Sequence, residues 1–337
     1  MDLSRVETVL KPYPAFRLKQ VNFAVFKNLI ESWDQVTNLP KDILALLKKE
    51  IPLEIKAEIQ KSTDNKTIKA AITLEDNQII EAVLMRHSDS RNTVCVSSQV
   101  GCPLACEFCA TGKLGFKRIM TAQEIIEPVL LFSRWLKKEG QRVDNIVFMG
   151  MGEPFLNYDE VLKAVRILND NDKFGIGARH ISISTAGIIE GIKKLAEENL
   201  QLNLAISLHA PNDIVRQKIM PVAKQYPIKK LLPVVSDYIK KTNRRVMIEY
   251  LMLKDINDSP SQARELAKIL KQQLHRLFFV NLISYNDTKQ FKPSLPKTIK
   301  EFKSILEKEG LTVIQRYRFG SEIDGACGQL AAKLKNN

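Results

Sequence analysis

Residues 101–112 read Gly-Cys-Pro-Leu-Ala-Cys-Glu-Phe-Cys-Ala-Thr-Gly, which brings three cysteines, Cys102, Cys106 and Cys109, onto one short loop. Thiolates are soft ligands that bind iron-sulfur clusters, zinc or copper(I), and three of them can hold a cluster together. A four-iron cluster held in this way keeps one iron free of protein ligands, as catalytic metal sites keep one position open. The alternative is a structural zinc site completed by Cys95 or a histidine, although zinc sites more often pair two C-x-x-C units. The spacing therefore favours a cluster.

The C-x-x-x-C-x-x-C spacing, with Phe108 before the last cysteine, resembles the signature of the radical S-adenosylmethionine enzymes. The longer run over 95–112 is similar to the dual-specificity RNA methyltransferases, which methylate C2 of adenosine in 23S ribosomal RNA and in transfer RNA. The resemblance spans about residues 80 to 330. It implies a [4Fe-4S] cluster on the three cysteines, S-adenosylmethionine as cofactor, and an electron donor of the flavodoxin type. A rival is the antibiotic-resistance branch of the same family, which methylates adenine C8, but Val100 and Pro154 resemble the C2 branch more closely.

The composition is that of a globular protein. The chain has 337 residues and 45% hydrophobic content, enough for a proper core. No apolar run approaches the ~20 residues needed to span a bilayer, and the first residues form no apolar signal region. Five cysteines, mostly clustered, do not suggest a secreted disulfide framework. We therefore expect a cytoplasmic protein that does not associate with membranes, and we expect a monomer.

The formal charge of +13 favours a polyanionic partner, since phosphate contacts supply most non-specific affinity for nucleic acid. The alternative is a generally lysine-rich composition, in which residues such as Lys193 and Lys194 only solvate helix faces. Net charge does not decide between these two interpretations, because it reports non-specific association rather than function.

Three segments differ in their hydrophobic period. Residues 1–53 read as short helices and are predicted to form an N-terminal helical accessory domain, which either contacts RNA or caps the barrel. Residues 54–90 alternate and are predicted to form an antiparallel β connector with its own small sheet. Residues 91–337 are predicted to form the catalytic domain. Basic side chains accompany the first helical run, at Lys11, Arg17, Lys19 and Lys27.

From about residue 92 onward, short β-branched or aromatic runs alternate with helical patterns. Such alternation predicts right-handed βαβ units and a parallel sheet. With six or seven units, the fold class is α/β, an incomplete (β/α)6-type barrel. The predicted strands are 93–98, 144–150, 180–185, 203–208, 244–252, 276–284 and 311–317, and the predicted helices are 121–138, 158–169, 188–198, 228–241, 259–273 and 298–309.

Polar and glycine residues recur at the C-terminal ends of these predicted strands, where α/β barrels carry their active sites. The cysteine loop leaves the first strand and Gly150-Met151-Gly152-Glu153-Pro154 the second, so the sequence predicts one ligand pocket. A tight turn is the alternative for the Gly-Glu-Pro run alone. The resemblance implies that the cofactor contacts are Gly152, Glu153, Ser184, Ser207, Leu208, His209 and Asn286.

Cys327 stands far from the other cysteines in the sequence. A lone cysteine is usually a small buried hydrophobe, but Gly325 and Gly328 predict an approachable loop here. The run over 323–330 also resembles the family's methyl-carrying segment, with Gly325 where alanine is usual. The resemblance implies that Cys327 receives a methyl group from one S-adenosylmethionine, and that the radical derived from a second one activates this methyl for addition to the base.

The same resemblance implies that Cys95 resolves the covalent RNA adduct by forming a disulfide with Cys327. It further implies that Glu81 is a proton acceptor. A buried strand cysteine is the alternative for Cys95, and a polar residue on an exposed strand face is the alternative for Glu81.

The target adenine must be unstacked, which single-stranded RNA loops allow at low cost. Five basic residues are predicted at the mouth of the pocket as phosphate contacts, with solvated surface charge as the alternative for any one of them: Lys113, Lys117, Arg118, Arg316 and Arg318. The competing hypothesis from another functional class is a non-catalytic, zinc-stabilised RNA-binding protein.

Overall fold

The computed structural model of the protein describes residues 3–316 and 319–331, so the predicted phosphate contact Arg318 lies outside the described residues. Two sheets are present in the described ranges. Their strands are β1 (Ala57–Lys61), β2 (Thr67–Thr73), β3 (Ile79–Arg86), β4 (Asn92–Val96), β5 (Gln99–Gly101), β6 (Phe116–Ile119), β7 (Asn145–Phe148), β8 (Ile181–Thr185), β9 (Asn203–Ser207), β10 (Val246–Met252), β11 (Phe278–Ser284) and β12 (Val313–Gln315).

The larger sheet runs in the order β1-β2-β3-β4-β7-β8-β9-β10-β11-β12, and β5 pairs with β6 in a separate hairpin. All neighbours from β4 to β12 are parallel, for example Cys95 opposite Val147 and Val246 opposite Phe278. No pairing between β1 and β12 closes the sheet within the part of the chain that the structure describes. The predicted incomplete α/β barrel is confirmed, and each predicted strand overlaps an observed one.

Helices follow most of the parallel strands, as the alternating pattern predicts. The α-helices are α1 (Arg5–Leu10), α2 (Phe16–Asn22), α3 (Lys41–Glu50), α4 (Ala110–Lys113), α5 (Ala122–Lys138), α6 (Tyr158–Asn169), α7 (Ile189–Glu197), α8 (Asp213–Ile219), α9 (Ile228–Thr242), α10 (Pro260–Gln273) and α11 (Pro296–Lys308). The pattern predicts the long ones but not α4 and α8, because one or two turns are too short for a helical period to be recognised.

Residues at the start of α5 specify where this helix begins. The Thr121 hydroxyl accepts a hydrogen bond from the Glu124 amide at 3.2 Å, and the Glu124 carboxylate accepts one from the Thr121 amide at 2.8 Å. This reciprocal capping box satisfies two amides that the first turn leaves without helical partners.

The antiparallel strands β1–β3 are confirmed, but the prediction that they form their own small sheet is wrong. β3 pairs antiparallel with β4, with Val83 opposite Cys95, so the three strands extend the barrel sheet. This arrangement covers the edge of β4, whose amides and carbonyls would otherwise be exposed to unwanted pairing. It also brings Glu81 on β3 into the same sheet as Cys95.

The N-terminal helices share one continuous apolar core with the barrel. Buried Trp33 donates its indole N–H to the Ile51 carbonyl at 2.7 Å, which anchors the segment before β1. Burying each large apolar side chain of such a core contributes about 1.5–3 kcal/mol. No helix within the described ranges is long and apolar enough to cross a bilayer.

Candidate active site

The β5–β6 hairpin braces the cysteine loop. Gly101 has φ +76°, and a Cβ atom there would lie 1.9 Å from the Gly115 carbonyl oxygen, so the position requires glycine. The Cys102 amide donates a hydrogen bond to the same oxygen at 3.0 Å. The first cysteine of the motif is therefore held by the turn that precedes Phe116.

The three motif cysteines, Cys102, Cys106 and Cys109, line one cavity with about 980 Å³ of empty space, its open mouth included. Burial raises the pKa of Cys102 to about 12 and that of Cys106 well above its usual value. Without metal, the raised pKa values favour the protonated thiols. Bound metal reverses this preference, because coordination favours the thiolate. Within the described ranges, no three His, Cys, Asp or Glu side chains surround a point that would suit a single ion. Three soft sulfurs on one cavity wall fit a cluster, in which each thiolate binds its own iron.

Backbone amides hold the carboxylate of Glu153, which lines this cavity. Its carboxylate accepts hydrogen bonds from the Ala186 amide at 2.7 Å and from the Phe155 amide at 3.1 Å. Burial nevertheless raises the pKa of Glu153 to about 7. Gly152, with φ +99°, packs so closely on Gln99 that a Cβ atom there would lie 2.6 Å from the Gln99 Cβ. A cation such as an amino group would stabilise the ionised carboxylate.

Ser184 and Ser207, from the ends of β8 and β9, meet at a carboxylate that the sequence analysis missed. The Glu249 carboxylate on β10 accepts a hydrogen bond from the Ser184 hydroxyl at 2.7 Å and one from the Ser207 hydroxyl at 3.2 Å. All three residues line the cysteine cavity. The available signal was a lone acidic residue inside the apolar run of β10, since a buried carboxylate needs partners.

Buried His209 has φ +59° and accepts a hydrogen bond from the Leu251 amide at 3.1 Å. Its ring stands edge-on to Phe108, with centroids 5.1 Å apart, so it links the cysteine loop to the end of β9. Burial, followed by the charge of Arg216, lowers the pKa of His209 to about 3. The imidazole is therefore neutral at physiological pH.

Two predicted cofactor contacts lie away from the lining of this cavity. Leu208 is fully buried, and its amide donates hydrogen bonds to the carbonyls of Ile206 and Glu249. Asn286 lines the neighbouring cavity instead, and its side-chain amide donates to the Cys327 carbonyl at 3.1 Å. The other five, Gly152, Glu153, Ser184, Ser207 and His209, all line the cysteine cavity.

A second cavity, with about 550 Å³ of empty space, adjoins the first. Cys95 and Cys327 both line it, together with apolar side chains such as Val83 and Met85. Cys327 lines the cysteine cavity as well and so lies on the wall that the two cavities share. All five cysteines are free, and no disulfide links Cys95 to Cys327. Burial, and next the neighbouring Cys327, raise the pKa of Cys95 to about 12.

Arg316 occupies the same shared wall, contrary to the prediction of a phosphate contact at the mouth. Its guanidinium lies 3.5 Å from the Glu249 carboxylate, and only 22% of the side chain is exposed. Cys327 is the largest influence that raises the pKa of Arg316, and Glu249 also raises it. The predicted position at the mouth was wrong because the sequence does not reveal that the residue after β12 lies beside Glu249 on the cavity wall.

The segment that carries Cys327 is tied to the cysteine loop. The Ala110 amide donates to the Gly328 carbonyl at 2.7 Å, and the Thr111 hydroxyl donates to the Leu330 carbonyl at 2.7 Å. Both donors directly follow Cys109. The loop that would hold the cluster and the segment that carries the fourth cysteine of the cavity are therefore positioned together.

Glu81 lies outside the linings of both sulfur-bearing cavities. Its carboxylate accepts a hydrogen bond from the Ala331 amide at 2.7 Å and lies 3.2 Å from the Lys69 ammonium group. Both members of this ion pair are buried, so Glu81 is not a polar residue on an exposed strand face. It borders a separate polar cavity with Glu322 and Gln329.

Three of the predicted phosphate contacts lie on α4 or β6, near the cysteine loop. Lys113 and Lys117 are exposed, and the Lys113 ammonium group donates one long hydrogen bond, at 3.4 Å, to the Thr288 carbonyl. Arg118 is already engaged, because it forms ion pairs with Asp76 at 2.7 Å and with Glu124 at 2.8 Å. These two carboxylates make Arg118 a link between β6, α5 and the β2–β3 turn rather than a free cation.

The chain is similar to known proteins over nearly its whole length. A family model described as the radical SAM superfamily matches residues 96–279. A protein of Dictyoglomus thermophilum named probable dual-specificity RNA methyltransferase RlmN is 42% identical over 98% of this chain and 95% of its own length. A protein of the same name from Streptococcus pyogenes serotype M12 is 40% identical over 94% of this chain and 90% of its own length.

A solved structure supports the same relationship. The crystal structure of a radical SAM methyltransferase from Sphaerobacter thermophilus superimposes with a TM-score of 0.94 at 39% identity, covering 99% of this chain and 98% of that one. Members of the superfamily use a [4Fe-4S] cluster and S-adenosylmethionine. The chain belongs to the radical S-adenosylmethionine superfamily and, within it, to the dual-specificity RNA methyltransferase family.

Proposed function

We propose that this protein methylates C2 of adenosine in 23S ribosomal RNA and in transfer RNA, with Cys327 as the methyl carrier and Cys95 as the residue that releases the product. The observation that carries the proposal is the position of Cys327 on the wall between the cysteine cavity and the cavity of Cys95. A carrier of a one-carbon unit needs access to both its donor and its acceptor, and this wall offers both.

The cofactor is bound and oriented by residues at the strand ends. Glu153 is proposed to accept hydrogen bonds from the amino group of S-adenosylmethionine, because it lines the cavity. It directly follows Gly152 in the loop after β7. Ser184, Ser207 and the neutral His209 supply uncharged polar groups on the same wall. When bound at Cys102, Cys106 and Cys109, the cluster supplies the electron that cleaves S-adenosylmethionine.

Cys327 acts as the nucleophile toward the sulfonium methyl, so one sulfur–carbon bond forms as another breaks. Arg316 lines the same two cavities as Cys327, so its guanidinium lies on the wall where this step takes place. After the carbon has been added to the base, Cys95 attacks the Cys327 sulfur. The disulfide forms as the sulfur–carbon bond to RNA breaks, the carbon keeps the electron pair and takes up a proton, and a thiol reductant regenerates both cysteines.

The electron donor, oligomeric state, location and domain organisation of the protein are also part of the proposed function. We propose a flavodoxin-like electron donor, a monomeric protein and a cytoplasmic location. The helical segment 1–53 is proposed as an accessory domain, the segment 54–90 as the β connector and 91–337 as the catalytic domain. Exposed Lys113 and Lys117 are the proposed phosphate contacts near the cysteine loop.

The test is anaerobic reconstitution followed by product analysis. Protein loaded with iron and sulfide should cleave S-adenosylmethionine when reduced, and RNA treated with it should contain 2-methyladenosine on nucleoside mass spectrometry. Peptide mass spectrometry of active enzyme should find one methyl group on Cys327. A product methylated at C8 would overturn the regiochemistry, and a colourless zinc protein that lacks inorganic sulfide would overturn the enzyme.

A further inference from the structure

Arg216 on α8 is fully buried, among the largest side chains that the structure buries completely. Its Nε donates a hydrogen bond to the Leu208 carbonyl at 3.1 Å, and its Nη1 donates to the Tyr226 carbonyl at 2.8 Å. Its Nη2 donates to the Ala186 carbonyl at 2.6 Å and to the Ser207 carbonyl at 3.4 Å. The guanidinium thus joins the loops that follow β8 and β9 to the segment before α9.

These hydrogen bonds give each nitrogen of Arg216 a partner, but every partner is a neutral carbonyl. No ion pair of Arg216 is found in the described part of the chain; the carboxylate of Asp213 raises the pKa of Arg216 and accepts its own hydrogen bond from the Ile228 amide at 2.7 Å. Burial lowers the pKa of Arg216 to about 10, so the group stays charged at neutral pH. A buried charge is costly unless an opposite charge offsets it.

The residues that surround Arg216 also form the wall of the cysteine cavity. Ala186 and Ser207, whose carbonyls bind Arg216, both line this cavity, and so does Met220 at the end of α8. The Glu107 amide in the cysteine loop donates to the Ile219 carbonyl at 3.0 Å, so α8 contacts the loop directly. Arg216 therefore stands immediately behind the wall of the cavity, on the side where the cysteine loop meets α8.

We propose that Arg216 is a built-in counter-cation for the iron-sulfur cluster, and that its hydrogen bonds position the cofactor-binding ends of β8 and β9. Three thiolates give the loaded cavity a net negative charge, and reduction of the cluster adds one more. A fixed cation behind the wall stabilises the reduced form more than the oxidised form, so it raises the reduction potential. The inference deepens the proposed function, since it rests on the presence of the cluster.

Two roles of Arg216 can be separated by substitution. Arg216→Met removes the charge and the hydrogen bonds, whereas Arg216→Lys keeps the charge but cannot reach several carbonyls at once. Arg134 on α5 offers a matched control, because it is also a buried arginine that donates to backbone carbonyls, those of Leu53 and Ile30. Unlike Ala186 and Ser207, which bind Arg216, neither of these two residues lines the cysteine cavity.

The experiment measures the midpoint potential of the reconstituted cluster by an anaerobic redox titration followed by electron paramagnetic resonance. Arg216→Met should shift the potential to more negative values, and the ratio of reduced to oxidised cluster at a fixed potential should fall on the order of tenfold, as expected for one buried unit charge. Arg216→Lys should keep a potential close to that of the wild type but weaken S-adenosylmethionine binding. Arg134→Met should lower the melting temperature without moving the potential.

An unchanged potential in cluster-loaded Arg216→Met would overturn the counter-cation role and leave a merely structural arginine. If the methionine variant does not fold, Arg216→Gln decides, because it keeps an N–H donor for the carbonyls while losing the charge. A wild-type potential in Arg216→Gln would then overturn the role equally. Wild-type protein that holds no cluster would overturn both this inference and the proposed function, whereas a cluster with an unchanged potential in the variants would overturn only this inference.

Discussion

Cys95 on β4 and Cys327 near the end of the described chain line the same apolar cavity, with Arg316 on its wall. Because burial and the neighbouring Cys327 raise the pKa of Cys95 to about 12, its thiol is protonated at neutral pH. A protonated thiol is a poor nucleophile, so the proposed release step requires Cys95 to lose its proton first. Arg316 acts in the opposite direction on the pKa of Cys95, but burial outweighs it.

Replacing Cys95 with alanine tests the resolving role. Cys95→Ala should accumulate protein covalently joined to RNA, because the carrier sulfur would have no partner to displace the bound product. Denaturing gels with labelled RNA would measure the adduct. The double variant Cys95→Ala/Cys327→Ala serves as control and should form none. If Cys95→Ala yields no adduct under turnover conditions, Cys95 has no part in the release step.

Glu153 should make the stability of the cluster-free protein depend on pH. Since its folded-state pKa is raised from 4.5 to about 7, the folded state holds the proton more tightly than the unfolded state. The resulting contribution to the free energy of unfolding, about 3 kcal/mol, is fully present below pH ~4.5 and is lost as pH rises to about 7. Urea unfolding of wild type and Glu153→Gln from pH 5 to pH 7.5 would measure the difference.

The control for this series is Glu301→Gln, which changes an exposed carboxyl on α11. It should follow the wild-type pH dependence, whereas Glu153→Gln should show a flatter one. Parallel curves for Glu153→Gln and wild type would contradict the raised pKa of Glu153.

Variants of the buried Lys69–Glu81 ion pair can distinguish a structural role of Glu81 from a catalytic one. Glu81→Gln should lower the free energy of unfolding by about 3–5 kcal/mol, because it leaves the buried Lys69 ammonium unpaired. Lys69→Met/Glu81→Gln should recover most of this loss, since the glutamine can still accept the Ala331 amide hydrogen bond. Urea unfolding measures both variants, with Lys163→Met of an exposed pair as a control that costs at most about 1 kcal/mol.

Methylation by the stabilised double variant then decides the role of Glu81. If Glu81 is the proton acceptor that the family resemblance implies, turnover stays low although stability is restored. If Glu81 instead holds the segment after Cys327 by its hydrogen bond with the Ala331 amide, turnover recovers together with stability. A Glu81→Gln variant as stable as Lys163→Met would contradict the structural importance of the pair.

Exposed Lys113 and Lys117 should contribute to RNA binding through phosphate contacts. Lys113→Gln/Lys117→Gln should weaken RNA binding and reduce the slope of log affinity against log salt by about 1–2. With fewer phosphate contacts, fewer counterions are released from the RNA on binding. Lys193→Gln/Lys268→Gln removes the same charge from α7 and α10 and should leave the slope close to wild type. Equal slopes for both variants would mean that only net charge matters.

Features that depend on residues close together in the chain could be predicted from the sequence. The cysteine spacing, the alternation of strand and helix, and the capping box at Thr121 are local patterns, so the sequence alone determined the cluster loop, the incomplete barrel and the bounds of its long helices to within a few residues. The recurrence of polar residues at strand ends also predicted one ligand pocket, because parallel strands bring those ends to one side of the sheet, and Glu153, Ser184, Ser207 and His209 all line it.

Only the tertiary structure decided what depends on pairing between distant segments. It joined β3 to β4 in one sheet, turned Arg316 inward toward Glu249, and buried Arg216 behind the cysteine cavity. In the sequence these arginines cannot be told apart from surface cations such as Lys117. Whether a charge meets water, a carboxylate or a ring of carbonyls is set by the packing of elements far apart in the chain, and that packing has no local signature.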